Sequence, residues 1–68
     1  MTVASQVKQT LASIKGAQGT LRLYAAQTQD DETRSVYNNA LETTQEIVND
    51  LEKRLRVLEH QEPQYKGN

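Results

Sequence analysis

The stretch "TQDDET", Thr28–Thr33, decides how this 68-residue chain folds. Long segments with helical spacing lie on both sides of it, and within it that spacing stops. Asp30, Asp31 and Glu32 suit the positive end of a helix dipole, and Asp30 or Asp31 can accept from the orphan N–H groups of a helix start. The stretch reads as a turn followed by the opening of a second helix.

Upstream, Val3, Val7, Leu11, Ile14, Leu21 and Tyr24 recur in steps of three, four and seven. Ala17 or Gln18 fills the gap and Thr28 follows, which makes one helical stripe over residues 3–29. Thr2 is a suitable N-cap. Downstream, Tyr37, Leu41, Thr44, Val48, Leu51, Leu55 and Leu58 alternate strictly by four and three, a coiled-coil spacing that predicts a helix over 32–61. Pro63 disfavours helix at Glu62. Residues 1–62 therefore read as one helical unit and 63–68 as a tail.

Folding the chain back at residues 30–31 pairs positions whose numbers sum to 61 or 62. Val3 then meets Leu58, Val7 meets Leu55, Leu11 meets Leu51, Ile14 meets Val48, Leu21 meets Leu41 and Tyr24 meets Tyr37. Six matched pairs from one fold-back point to an all-α antiparallel helical hairpin. The same register sets Lys8 near Glu52, Lys15 near Glu46 and Arg22 near Glu42. Residues 1–29 carry +3 and residues 30–62 carry −5, as two helices of opposite charge lying side by side would.

Composition removes several classes of chemistry. There is no Cys, hence no disulfide, thiolate nucleophile or Cys-based metal site. No apolar run reaches the roughly 20 residues that span a bilayer, and "MTVASQVKQT" lacks the pattern of a signal peptide. A soluble, cytoplasmic protein is expected. The single histidine, His60, has only Glu59 and Glu62 nearby and reads as a surface residue at a helix C-terminus. Glu42, Glu46 and Glu59 do not make a di-iron set, which needs Glu-x-x-His pairs on facing helices. No phosphate loop or nucleophile–base arrangement is visible, so neither an enzyme nor a cofactor is expected.

Two glycines, Gly16 and Gly19, sit inside the first helical pattern, where each costs about 1 kcal/mol relative to alanine. They belong to a second line, Ala12, Gly16, Gly19, Leu23 and Ala26, read as lying beside the main seam. A weaker counterpart runs through Val36, Ala40, Thr43, Ile47 and Val57. Because a lone hairpin buries a single face, this line, with Ala40 and Ile47, is the candidate interface of a homodimer in which two hairpins form a four-helix bundle. Tyr65 and Lys66 form a candidate partner-docking element on the tail.

Three segments, "MTVASQVKQTLASIKGAQ", "AAQTQDDE" and "QEPQYK", together resemble a family of small proteins of unknown function from endospore-forming bacteria. The resemblance covers essentially the whole chain. It implies a sporulation context, because such genes are typically encoded beside SpoVA-type proteins, which move dipicolinic acid into spores, and near YetF-like membrane proteins. It implies a membrane-protein partner and a place in the spore core or at the inner spore membrane, and it carries over no catalytic residues. Two functions follow as expectations. One is a non-enzymatic helical interaction module acting beside spore membrane proteins. The other is a small spore-core nucleic-acid-binding protein using Lys8, Lys15 and Arg22, which recur every seven residues; the net charge of −1 weighs against it.

Overall fold

A computed structural model describes residues 2–61. They form two helices, α1 (Val3–Gln27) and α2 (Asp31–Gln61), with no strand among the described residues. Both boundaries at the turn fall within two residues of the sequence reading. Gln18 of α1 bonds to Thr44 of α2, Lys15 to Glu52 and Lys8 to Glu59, so α1 descends as α2 ascends and the pair is an antiparallel hairpin. It is a thin object, 52 × 16 × 12 Å. Its radius of gyration, 15.8 Å, exceeds the about 10–11 Å of a compact globule of this length.

Each helix start is held by the residue the sequence indicates. The Ser5 backbone N–H donates to the Thr2 hydroxyl at 3.0 Å, the expected cap of α1. Asp30 caps α2, its Oδ2 accepting from the Thr33 backbone N–H at 2.8 Å and from the Thr33 hydroxyl. These bonds to Thr33, the hydroxyl first, hold the Asp30 carboxyl below its ordinary pKa against an opposing loss of solvation, with the Arg34 charge the smallest of the contributions that lower it.

The end of α1 lacks both the usual left-handed glycine cap and a basic residue of its own. Thr28 is extended, with φ −71° and ψ 143°. Arg34 supplies what is missing from across the turn, donating to the carbonyls of Ala25 and Thr28 while pairing with Asp31 at 2.8 Å. A cation at this end also faces the negative pole of the α1 dipole.

The core is a heptad seam. In α1 it runs Ala4, Val7, Leu11, Ile14, Gln18, Leu21, Ala25 and Thr28; in α2 it runs Tyr37, Leu41, Thr44, Val48, Leu51, Leu55 and Leu58. The α2 stripe is as the sequence indicates, but α1 needs two corrections and settles one open alternative. Ala4, only 2% exposed, enters the seam while Val3 stays 55% exposed. Gln18, not Ala17, fills the central gap, and Ala25 is buried beside a Tyr24 that remains 47% exposed. Reading by size selects the larger neighbour, whereas strict three–four spacing sets the phase and admits small residues where the helices meet. Tyr24 still approaches Tyr37, ring centroids 6.2 Å apart and planes tilted by 42°.

Gln18 is a polar residue, 3% exposed, at the middle of an apolar seam. Its amide donates to the Thr44 hydroxyl at 3.1 Å and to the Gln45 side-chain oxygen at 3.3 Å. The Thr44 hydroxyl in turn donates to backbone carbonyls of its own helix, nearest Ala40 at 2.8 Å, and the Gln45 amide donates to Asn49. Among the described residues no buried side-chain polar atom lacks a partner. The layer costs little because it is satisfied.

Two of the three expected charge pairs are replaced by others, and the third, Arg22 with Glu42, does not form. Lys8 pairs with Glu59 at 2.9 Å rather than with Glu52, and Lys15 pairs with Glu52 at 3.0 Å rather than with Glu46. Both pairs sum to 67, a few residues beyond the seam's 62. Helical side chains lean toward their own N-terminus. In an antiparallel pair, the lysines therefore lean toward the open end and the glutamates toward the turn, and they meet across that offset.

Candidate functional site

The described residues offer no concave pocket and no group of three or more metal-ligating side chains. His60 is exposed on the outer side of α2, and Glu59 is engaged by Lys8. What the hairpin presents instead is two broad faces of opposite character, one on each side of the seam.

The first face carries charge. Residues four after the buried Ala4, Leu11 and Gln18, namely Lys8, Lys15 and Arg22, line one edge of that helix, and Glu52 and Glu59 line the matching edge of α2. Two salt bridges and the Gln45–Gln18 bond close the seam on this side. Exposed pairs of this kind contribute about 0–1 kcal/mol each. They also occupy Lys8 and Lys15, two of the three cations in the nucleic-acid expectation.

The second face is nearly free of charge. Its α1 edge, from Val3 through Ala17 and Tyr24 to Gln27, holds no Asp, Glu, Lys, Arg or His, and along α2 only Asp50 and Arg54 interrupt Val36, Ala40, Ile47 and Val57. The seam is open here. Val7, Ile14 and Leu21, the α1 core residues bordering this side, are half-buried, whereas Ala4, Leu11, Gln18 and Ala25, bordering the charged side, are all buried. Of the large hydrophobics that stay exposed, Val3, Tyr24, Val36, Ile47 and Val57 belong to this side, at 43–64% exposure.

The glycine line lies elsewhere. At about 100° per residue, Ala12, Gly19 and Ala26 are turned about 130° from the seam and Gly16 and Leu23 about 180°. All five are exposed, Leu23 at 52%, and a Cβ added at Gly16 or Gly19 would meet nothing within 4 Å. The line is thus on the outer back of α1, not beside the seam. Ala40 and Ile47, grouped with it from sequence, sit instead on the uncharged face of α2, so the hairpin does not bring the candidate set onto one surface. Sequence reasoning missed Ala17 and the open character of the Val3–Tyr24 edge. The signal was present as an eight-position run without charge, legible once the heptad phase is fixed by Ala4 and Gln18. Tyr65 and Lys66 lie outside the described residues.

No helix among the described residues is long and apolar enough to cross a membrane. Comparison with curated proteins and with solved structures gives no match. The family model described as "Protein of unknown function (DUF1657)" matches residues 7–55, from the first half-buried valine of α1 to the last leucine but one of the α2 seam. That span is most of both helices and the whole turn, and the chain belongs to the DUF1657 family.

Proposed function

We propose that this protein is a non-enzymatic helical interaction module in which two hairpins pair as a four-helix bundle. The observation that carries the reading is the exposed apolar surface: six large hydrophobic side chains stand 43–64% exposed on a body only 12 Å thick. A two-helix unit has one internal seam, and half of that seam remains open to solvent. Association is the ordinary way for a small chain without disulfides to bury the remainder. Sedimentation of the full chain over the micromolar range tests it, with a dimer expected and a monomer throughout opposed to it.

The resemblance stated for "MTVASQVKQTLASIKGAQ", "AAQTQDDE" and "QEPQYK" supports a sporulation setting, at the spore core or the inner spore membrane surface, with a spore membrane protein as partner. Co-purification from sporulating cells with a SpoVA-type or YetF-like protein tests that part. Loss of the association in solubilised membranes would remove it.

A further inference from the structure

We infer that the uncharged face of the hairpin, bordered by Val3, Ala17, Tyr24, Ala40, Ile47 and Val57, is the surface that docks a second copy of this chain. The inference rests on the pairing reading above and assigns it a place. Three observations converge on this face and on this occupant.

The first is which side of the seam is open. In α1, every core residue bordering the charged face is buried and the apolar core residues bordering the uncharged face, Val7, Ile14 and Leu21, are half-buried. The charged side is already closed by Lys8–Glu59, Lys15–Glu52 and the Gln18–Gln45 bond. A partner therefore adds burial to Val7, Ile14 and Leu21 from the other side; α2 shows no such contrast, with Leu41 and Leu55 half-buried toward the charged face and Leu58 buried toward the uncharged one. Docking there converts positions flanking the seam into core, which is the wider apolar arc that bundle helices show compared with a two-stranded coil.

Charge is the second. A surface that meets its own copy meets its own charges, so an isologous interface cannot carry a single sign of any size. The face satisfies this condition: α1 contributes no charge to it, and α2 contributes Asp50 and Arg54, opposite in sign and one helical turn apart. The lysine-and-glutamate face and the back of α2, with Glu46 and Lys53, remain outward, where charge is solvated. A lipid surface is matched less well, because no row of basic residues accompanies the apolar side chains of this face.

Area is the third. A face 52 Å long and 16 Å wide offers roughly 800 Å², close to the per-partner area of a standard stable interface. A second hairpin has the same length and width and can cover all of it. The back of α1 fits less well. It is a single convex helix, and the space around Gly16 and Gly19 is open without any cleft to receive a partner.

The test is sedimentation velocity of the full chain and three variants, with circular dichroism to confirm that each remains helical. Ala17→Glu and Ile47→Glu place a carboxylate on the uncharged face at positions the monomer leaves exposed, so the hairpin itself should fold. Each should weaken the dimer by on the order of 100-fold or more, since an unpaired carboxylate is costly to desolvate. Gly16→Leu, on the back of α1, should leave the dissociation constant unchanged. A dimer that survives both glutamate variants overturns the assignment of the face, and does so most directly if Gly16→Leu disrupts it; the pairing reading would stand. A wild type that stays monomeric overturns both, and a monomer that cosediments with lipid vesicles through this face would make the occupant a bilayer instead.

Discussion

The Gln18 amide of α1 donates to the Thr44 hydroxyl of α2 across 3.1 Å, at the midpoint of the seam. The two numbers sum to 62, the value obtained by folding the chain at its acidic turn. Together with the second bond from the same amide, to Gln45 at 3.3 Å, this contact ties the interhelical register to a polar layer in a mostly apolar stripe, the kind of device that selects one alignment at a cost in stability.

Replacing Gln18 with leucine should therefore stabilise the hairpin, by about 1 kcal/mol. No buried orphan is left behind, because Thr44 keeps its bonds to the Ala40 and Leu41 carbonyls and the Gln45 side-chain oxygen, which loses its donor, belongs to an exposed residue that water can reach. Gln18→Ala should instead destabilise by leaving a void. Thermal unfolding of the two variants checks the sign of each, and a leucine variant that melts below wild type would show that the polar layer contributes net stability.

Removing the turn's guanidinium should loosen the end of α1. Arg34 is the group that reaches the Ala25 and Thr28 carbonyls, and it is 41% exposed in its side chain, so Arg34→Ala should cost about 1–2 kcal/mol. Arg34→Lys should not restore the loss, because a single ammonium cannot reproduce the planar fork that addresses two carbonyls and Asp31 together. Chemical denaturation of the three proteins measures this, and full recovery by lysine would reduce the role of Arg34 to its charge.

Asp30 gives a pH dependence with a definite sign. Its folded pKa lies below the ordinary 3.8, chiefly through the Thr33 hydroxyl and backbone bonds. Its contribution is fully present above that ordinary value and is lost as pH falls through the lower folded value. Asp30→Ala should melt below wild type at neutral pH, with the gap closing in strongly acidic solution. A gap that is unchanged at the acid end would show that the carboxylate charge plays no part in the cap.

Gly16→Ala should raise stability by up to about 1 kcal/mol. The glycine is in mid-helix, its φ is not positive, and an added methyl meets nothing within 4 Å. Thermal unfolding at low concentration, where the hairpin is measured by itself, gives the value. A destabilised alanine variant would mean that something approaches the back of α1 closely.

How much of this was legible beforehand can be judged position by position. Sequence alone determined the two helices, the turn, the cap at Thr2, a second cap at Asp30 or Asp31, and the register that sets Gln18 level with Thr44, because these depend on local hydrogen-bond chemistry and on a spacing that repeats over many residues. It did not determine whether Ala4 or Val3, Gln18 or Ala17, Ala25 or Tyr24 entered the seam. Adjacent residues on a helix are about 100° apart, so a stripe read by side-chain size can miss its axis by one position while keeping its period. Tertiary structure decided that phase, since only a second helix packed at close range distinguishes the small residue it can touch from the large one beside it. The same contact decided the salt bridges, through the opposite lean of side chains on antiparallel helices, and with them which face of the hairpin is closed by charge and which is left open.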